Sequence, residues 1–268
     1  MSKKIILLAG PTASGKSKLA IHLAKKINGE IINADSMQVY KEFSILSSRP
    51  SKKEIKQANH HLYGLISVKK YFSAGDWLKE VKKKINLCIK KKKTPIVVGG
   101  TGLYFDTITK GISKIPSIDS KTRNKVRNLF KKLGFAKFYE ELIKLDPKVK
   151  NKILPMDSQR AQRAYEVKLK TRKSLFDWIK NTKSDFVDYD LKKIFLAIPR
   201  DELLKKISER TKLMFIQDCI EEVKKFNLIK LNKSLSANKL IGVQEINSYL
   251  KNNIDLKQCK ELINIKTR

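Results

Sequence analysis

Residues Gly10-Pro11-Thr12-Ala13-Ser14-Gly15-Lys16-Ser17 fit the spacing G-x-x-x-x-G-K-S. They stand between an apolar run, Ile5 to Ala9, and a stretch from Lys16 to Ile27 that carries Leu19, Ala20, Leu23, Ala24 and Ile27 at helical spacing. Strand, glycine-bearing loop and helix in that order define a phosphate loop. Its backbone N–H groups and the positive end of the helix dipole face an anion, and Lys16 adds a point charge. Ser17 stands where its hydroxyl can meet a phosphate-bound Mg2+. The competing reading, a strand-to-helix turn with a chance lysine, does not account for all three parts being in order.

Two further turns belong to the same edge of a sheet. Glu30 to Asn33 read as a strand ending in Ala34-Asp35-Ser36-Met37-Gln38, which puts a carboxylate at a strand's carboxyl end, where open α/β sheets bind ligands. Thr94 to Val98 read as a third strand, ending in Gly99-Gly100-Thr101-Gly102-Leu103-Tyr104. The two glycine-rich turns suggest one extended anion site. Between these strands lie His60 and His61 in a polar stretch, and an amphipathic helix, Ala74 to Lys91, with Trp77, Val81, Ile85 and Cys88 on its apolar side. From about Lys114 strands vanish: helices are expected over 120–133, 135–145 and 157–169. A strand over 193–198 then returns to the sheet, followed by a helix from Asp201 to about Phe226. The expected fold is α/β: a P-loop NTPase-like parallel sheet flanked by helices (1–113 and 188–268), with an all-helical insertion domain (114–187).

The formal charge of +33 favours a polyanionic partner, RNA first, through counterion release. A lysine bias over the whole surface would give the same sum, since only nine of the 59 basic residues are arginine. Clustered arginines therefore carry more information than lysines here. Cys88, Cys219 and Cys259 are odd in number and widely spaced, which suggests reduced thiols and no zinc site. The opening Met1-Ser-Lys-Lys and its apolar run superficially look like a signal peptide, but the run is short and leads straight into the phosphate loop. No stretch approaches the roughly 18 apolar residues of a membrane span. A soluble, cytoplasmic protein with no membrane contact is expected.

The phosphate loop, Asp35-Ser36-Met37-Gln38, Gly99 to Tyr104, and Asp157-Ser-Gln159-Arg160-Ala161-Gln162-Arg163, in this order and at these intervals, resemble the tRNA dimethylallyltransferases (isopentenyl-tRNA transferases). The likeness covers nearly the whole chain and includes His60-His-Leu, Pro116-x-x-Asp119-x-x-x-Arg123, Arg163-Ala-Tyr-Glu-Val167 and Glu221-Glu-Val223. It implies transfer of a dimethylallyl group from dimethylallyl diphosphate to the exocyclic amine of the adenosine 3′ of a tRNA anticodon. It also implies Mg2+ as cofactor and a monomer.

The resemblance assigns roles residue by residue. Thr12 to Ser17 contact the diphosphate, Thr101 adds a hydroxyl to the same site, and Arg210 reaches the diphosphate from the returning half of the core. Asp35 is the candidate base that accepts a proton from the adenine amine; capping of the residues after it, or a place in a magnesium ion's outer shell, are its alternatives. Gln38 carries an amide suited to an adenine edge. Gln159 to Arg163 match a segment that contacts the anticodon loop, and Arg123 resembles another tRNA contact. The target base is expected to leave its stack.

Departures from the family pattern are Leu46-Ser-Ser-Arg-Pro50 where Gly-Thr-Ala-Lys-Pro is usual, and Lys239 to Gln244, which keeps Gly242 but lacks two arginines and a tyrosine. The chain stops at Lys266-Thr-Arg268 where relatives continue into a further basic helix. A small-molecule or nucleoside kinase is the rival on the same loop, and a basic RNA-binding module is the rival of another class.

Overall fold

The computed structural model describes residues 3–231 and 235–268. Met1 and Ser2, which open the run weighed above as a signal sequence, lie outside them. Five parallel strands, β1 (Lys4–Ala9), β2 (Gly29–Asn33), β3 (His60–His61), β4 (Thr94–Gly99) and β5 (Asp190–Phe195), lie in the order β3-β2-β4-β1-β5. Between them run α1 (Lys16–Lys26), α2 (Lys52–Ile55), α3 (Ala74–Lys90), α4 (Gly102–Thr109), α5 (Ser120–Leu145), α6 (Ser158–Thr171) and α7 (Leu175–Lys180). After β5 come α8 (Arg200–Ile216), α9 (Cys219–Asn227), α10 (Val243–Leu250) and α11 (Leu256–Thr267).

The central strands are covered on both faces and accordingly read as unbroken apolar runs: Ile5 to Leu8 and Ile96 to Val98 are all buried. Helix α1 presses Ala20, Ile21 and Ala24 onto Ile6, Leu8, Ile31 and Ile96. Helix α3 opens with a reciprocal cap between Ser73 and Asp76, which fixes its start. It buries Trp77, Val81, Ile85 and Cys88 on the side that faces β2 and β4.

Several boundaries differ from expectation, each for a local reason. The returning strand covers 190–195 instead of 193–198, since pairing from Lys4 with Asp190 to Ala9 with Phe195 sets its register. This is an edge strand whose Lys192 and Lys193 stay exposed, so it carries little apolar signal and is protected against pairing with another chain. The polar His60-His61 pair proves to be the opposite edge strand, beside Ile31 and Ile32. The expected helix from 201 to 226 breaks at Asp218, which adopts φ 64° and caps α9 by accepting from the Glu221 N–H at 3.3 Å. The stretches 120–133 and 135–145 adjoin across Gly134, which leaves helical geometry at φ 71°, ψ −174°.

The chain forms two compact units, one of residues Met1–Thr107 with Asp188–Arg268 and one of Ile108–Val187. The divide falls after Thr107, within α4, rather than at 114. The first unit holds the sheet and a separate core in which Val39, Tyr40, Phe43 and Leu46 pack with α8 to α11. The second is helical, centred on Val126, Phe138, Leu142, Val149, Ile153, Ala161 and Ala164. No helix among the described residues is long and apolar enough to cross a membrane.

Candidate active site

The carboxyl edge of β1, β2 and β4 brings three turns of the first unit together. The phosphate loop follows β1, and its last glycine, Gly15, takes φ 85° as the N-cap of α1, a left-handed conformation that favours glycine. Lys16 reaches across the loop, its Nζ donating to the Pro11 carbonyl at 3.0 Å. Ser17 is exposed in the first turn of α1, whereas the Ser14 hydroxyl is buried without a hydrogen-bond partner among the described residues.

Asp35 is held by its own neighbours. The buried Asn33 accepts from the Asp35 N–H at 2.8 Å and donates to the Asp35 carbonyl at 2.9 Å. Its own carbonyl accepts from Trp77 Nε1 at 2.9 Å. Asp35 Oδ1 takes the N–H groups of Met37 and Gln38 at 2.8 and 3.3 Å. The capping role weighed as an alternative is therefore present, but it caps a turn, not a helix. It engages one carboxylate oxygen and leaves Oδ2 without a hydrogen bond among the described residues.

The Gly99 turn locks onto Ala34 and Ser36, on either side of Asp35. A side chain at Gly99 would place its Cβ 2.1 Å from the Ala34 carbonyl oxygen, so only glycine lets β4 end against this strand end. Thr101 donates its N–H to that carbonyl at 3.2 Å, and its hydroxyl accepts the Ser36 N–H at 2.9 Å. Beneath, the rings of Tyr104 and Trp77 stack with centroids 4.1 Å apart. Burial, with smaller contributions from Tyr40, Asp35 and Asp76, pushes the Tyr104 phenol well above its usual range. The ring is a protonated floor to the turn.

Lys16, Asp35 and Arg210 share one electrostatic neighbourhood. Burial lowers the pKa of Lys16; Asp35 opposes that shift and Arg210 adds to it. Arg210 is likewise lowered by burial and supported by Asp35. Its Nε donates to Ser48 Oγ at 2.8 Å and its Nη2 to the Leu46 carbonyl at 3.3 Å. Gln38 Nε2 donates to the carbonyls of Ser47 and Ser48 at 2.9 and 3.1 Å. Two cations beside one carboxylate make this edge suited to an anion.

In the helical unit, Asp157 caps α6 by accepting from the Arg160 N–H at 3.0 Å, and the Arg160 guanidinium pairs with the same carboxylate. Arg160 is 77% exposed. Gln159 is exposed, Gln162 is half-buried, and Arg163 lies within 3.4 Å of Glu166. Ala161 corrects the set carried over by resemblance: it is 2% exposed within the helical core, so it anchors α6 and is not a contact surface. Arg123 lies half-buried in the first turn of α5.

A model of the IPP transferase family matches residues 38–268. The chain belongs to this family. It is 53% identical over 265 residues to the tRNA dimethylallyltransferase of Pelagibacter ubique (strain HTCC1062), covering 99% of this chain and 85% of that one. To the enzyme of the same name from Ehrlichia canis (strain Jake) it is 41% identical, over 98% and 87%. Among solved structures, it resembles a eukaryotic dimethylallyltransferase captured acting on tRNA (TM-score 0.83, 28% identity, 99% of this chain and 67% of that one). It also resembles the tRNA isopentenylpyrophosphate transferase of Bacillus halodurans (TM-score 0.69, 28% identity, 99% and 83%).

Asn33 and Trp77 are parts of this candidate site that the motifs alone did not mark. A polar residue next to Ile31-Ile32 at the end of a buried strand was the available signal for Asn33. Away from the site, Glu30, His61 and Cys88 converge from three segments, the one such group of metal-capable side chains among the described residues. His61 Nε2 lies 2.6 Å from Glu30 Oε2, Asn59 donates to Oε1 at 3.1 Å, and the Cys88 thiol faces Oε2 at 3.7 Å. Burial alone would raise the Glu30 pKa, but the bonds from His61 and Asn59 win and hold it below the usual carboxylate range. Burial pushes the Cys88 thiol up to about 12. These groups satisfy one another as a hydrogen-bonded cluster around the buried Glu30 carboxylate.

Proposed function

We propose that this transferase moves a dimethylallyl group from dimethylallyl diphosphate to the exocyclic amine of the adenosine 3′ of a tRNA anticodon. The observation that carries the reading is the joint placement of Lys16, Arg210 and a half-engaged Asp35 carboxylate at one sheet edge of a family member. In the step, the bond between the allylic carbon and the diphosphate oxygen breaks, and a bond from that carbon to the adenine nitrogen forms. Pyrophosphate leaves with the bonding electrons, and Asp35 Oδ2 accepts the amine proton. Loop N–H groups, Lys16 and Arg210 stabilise the charge that develops on the leaving group.

Ser17, an exposed residue in the first turn of α1, fits Mg2+ as a hard oxygen donor. The ion would neutralise charge on the diphosphate. The amine is a weak nucleophile because its lone pair is delocalised into the ring, so a carboxylate fixed by Asn33 and two backbone N–H groups is an economical base. A kinase would need the same loop, and family membership weighs against it. The test is nucleoside mass spectrometry of tRNA after reaction with the purified protein and dimethylallyl diphosphate. A prenylated adenosine is expected; ATP consumption without prenylation would overturn the proposal.

A further inference from the structure

The segment Leu46-Ser-Ser-Arg-Pro50 departs from the family pattern, yet its turn is firmly anchored beside the site. Glu222, on α9, holds it with one carboxylate. Oε1 accepts the N–H groups of Ser44 and Ile45 at 2.6 and 2.8 Å and the Ser44 hydroxyl at 3.1 Å; Oε2 accepts the Leu46 N–H at 2.9 Å. Such charge-assisted bonds are about twice as strong as neutral ones. The turn closes on itself through Ser48 N–H to Ile45 carbonyl (2.9 Å) and Arg49 N–H to Ser44 carbonyl (3.0 Å). Apolar packing locks both partners: Phe43 is fully buried, with its ring centroid 4.6 Å from that of Phe226 on α9, and Leu46 is 2% exposed.

With its N–H groups turned to Glu222, the loop presents oxygens to the site. The Leu46 carbonyl and Ser48 hydroxyl hold the Arg210 guanidinium, while the Ser47 and Ser48 carbonyls hold the Gln38 amide. All of these acceptors are neutral. The loop thus orients Arg210 through neutral acceptors that leave its charge available, while the Glu222 carboxylate is engaged by backbone N–H groups and the Ser44 hydroxyl.

We infer that Glu222 is a positioning residue for transfer: through the 44–48 turn it aims Arg210 at the diphosphate and Gln38 at the adenine. This rests on the functional reading above, in which Arg210 meets the donor and Gln38 the acceptor. Glu222→Gln keeps the shape but turns an N–H2 group toward N–H donors, so the turn must rearrange.

The test is steady-state kinetics of Glu222→Gln, Glu222→Asp, Arg210→Ala and the Glu222→Gln/Arg210→Ala double variant, each checked by circular dichroism and melting. Glu222→Gln is expected to raise KM for dimethylallyl diphosphate about tenfold, the loss of roughly one well-aimed hydrogen bond, and KM for tRNA several-fold. Glu222→Asp, which keeps the charge, should recover part of both. In the Arg210→Ala background, Glu222→Gln should add nothing to the KM for the donor. A folded Glu222→Gln with wild-type KM for both substrates, or effects that multiply in the double variant, would overturn the role. Should Glu222→Gln not fold, the Glu222→Asp values decide in the same way. A wild-type chain that transfers no prenyl group would instead remove the functional reading, and this role with it.

Discussion

The site in the sheet-bearing unit and the arginine helix of the helical unit are built on opposite terms. Around Asp35, chain neighbours and distant segments are tied into one network: Asn33 and the backbone of Met37 and Gln38 from the same turn, and Thr101 and Trp77 from elsewhere, over a buried aromatic pair. On α6, Arg160 is exposed, and its one side-chain bond among the described residues is to Asp157, three residues away on the same short segment. Bond making needs groups fixed before the reaction begins, because reorganisation at the moment of charge development costs rate. Holding a polyanion needs only charge at the right place, which screening weakens and salt tunes. Substitutions should therefore divide into those that lower kcat and those that change KM and salt dependence.

The largest expected loss tests the fixed half of that contrast. Asp35→Asn should lower kcat by about 10²- to 10⁴-fold, the usual contribution of a general base. The amide oxygen can still cap Met37 and Gln38, so the melting temperature and tRNA affinity should hold. Asp35→Ala should lose the turn as well and show a lower melting temperature. Equal kcat for wild type and Asp35→Asn in single-turnover measurements would sink the base assignment.

Next comes Lys16→Ala, expected to lower kcat/KM by about 10²- to 10³-fold as a donor aimed at developing charge is removed. Its pH dependence has a definite sign. A lysine whose folded pKa is depressed binds its proton less tightly than the unfolded chain does, so it weakens the fold in the interval between the two pKa values and below. Stability attributable to Lys16 should rise as pH climbs through that interval, while donor affinity falls because the cation is lost. Lys16→Met should melt higher than wild type at neutral pH and bind dimethylallyl diphosphate poorly, read by thermal denaturation and equilibrium binding. A lower melting temperature would contradict the burial argument.

Glu30 shows that a tight polar network need not be a reacting one. Deleting a buried acceptor and leaving its donors unpaired typically costs about 1 to 3 kcal/mol, so Glu30→Ala should unfold at lower denaturant with kcat of the folded fraction preserved. Its depressed pKa gives stability that is present above the ordinary glutamate range and lost as pH falls through the folded value. Urea titrations at neutral and acid pH check both: the wild type should lose stability on acidification, and Glu30→Gln should lose less.

The two halves also differed in how they could be read from sequence. The strands that build the site were legible because burial on both faces forces β-branched apolar runs, and glycines at 10, 15 and 99 mark where backbone must turn or approach closely. β5 was misplaced by three residues at its start, because an exposed edge carrying Lys192 and Lys193 has no periodicity to follow. Asp218 broke a helix that looked continuous, since a single left-handed residue barely disturbs an apolar pattern. Asp35, Lys16 and Arg210 were named from motif spacing, but their mutual neighbourhood is a product of β2, α1 and α8 packing that no local window contains. Ala161 was misjudged for the converse reason: a motif segment contains both the side chains that face out and those that hold the helix down.

The smallest effects belong to the exposed helix, and they separate two arginines that look equivalent in sequence. Arg160 is itself largely exposed and pairs with a partly exposed Asp157, an i,i+3 contact of the kind worth little, so it can be given up to a phosphate at small cost. Arg163 faces Glu166, whose side chain is only 11% exposed, so leaving it would strand a largely buried carboxylate. Arg160→Ala should therefore raise KM for tRNA a few-fold, leave kcat and melting unchanged, and reduce the slope of log affinity against log salt by about one. Arg163→Ala should move the salt slope less and cost stability, about 1 to 3 kcal/mol for an unpaired buried acceptor. Filter binding of tRNA across a salt series, with melting curves on the same preparations, reads both. Equal salt slopes and equal melting temperatures for the two variants would mean that Glu166 does not hold Arg163, and the distinction between a free charge and a tethered one on this helix would fail.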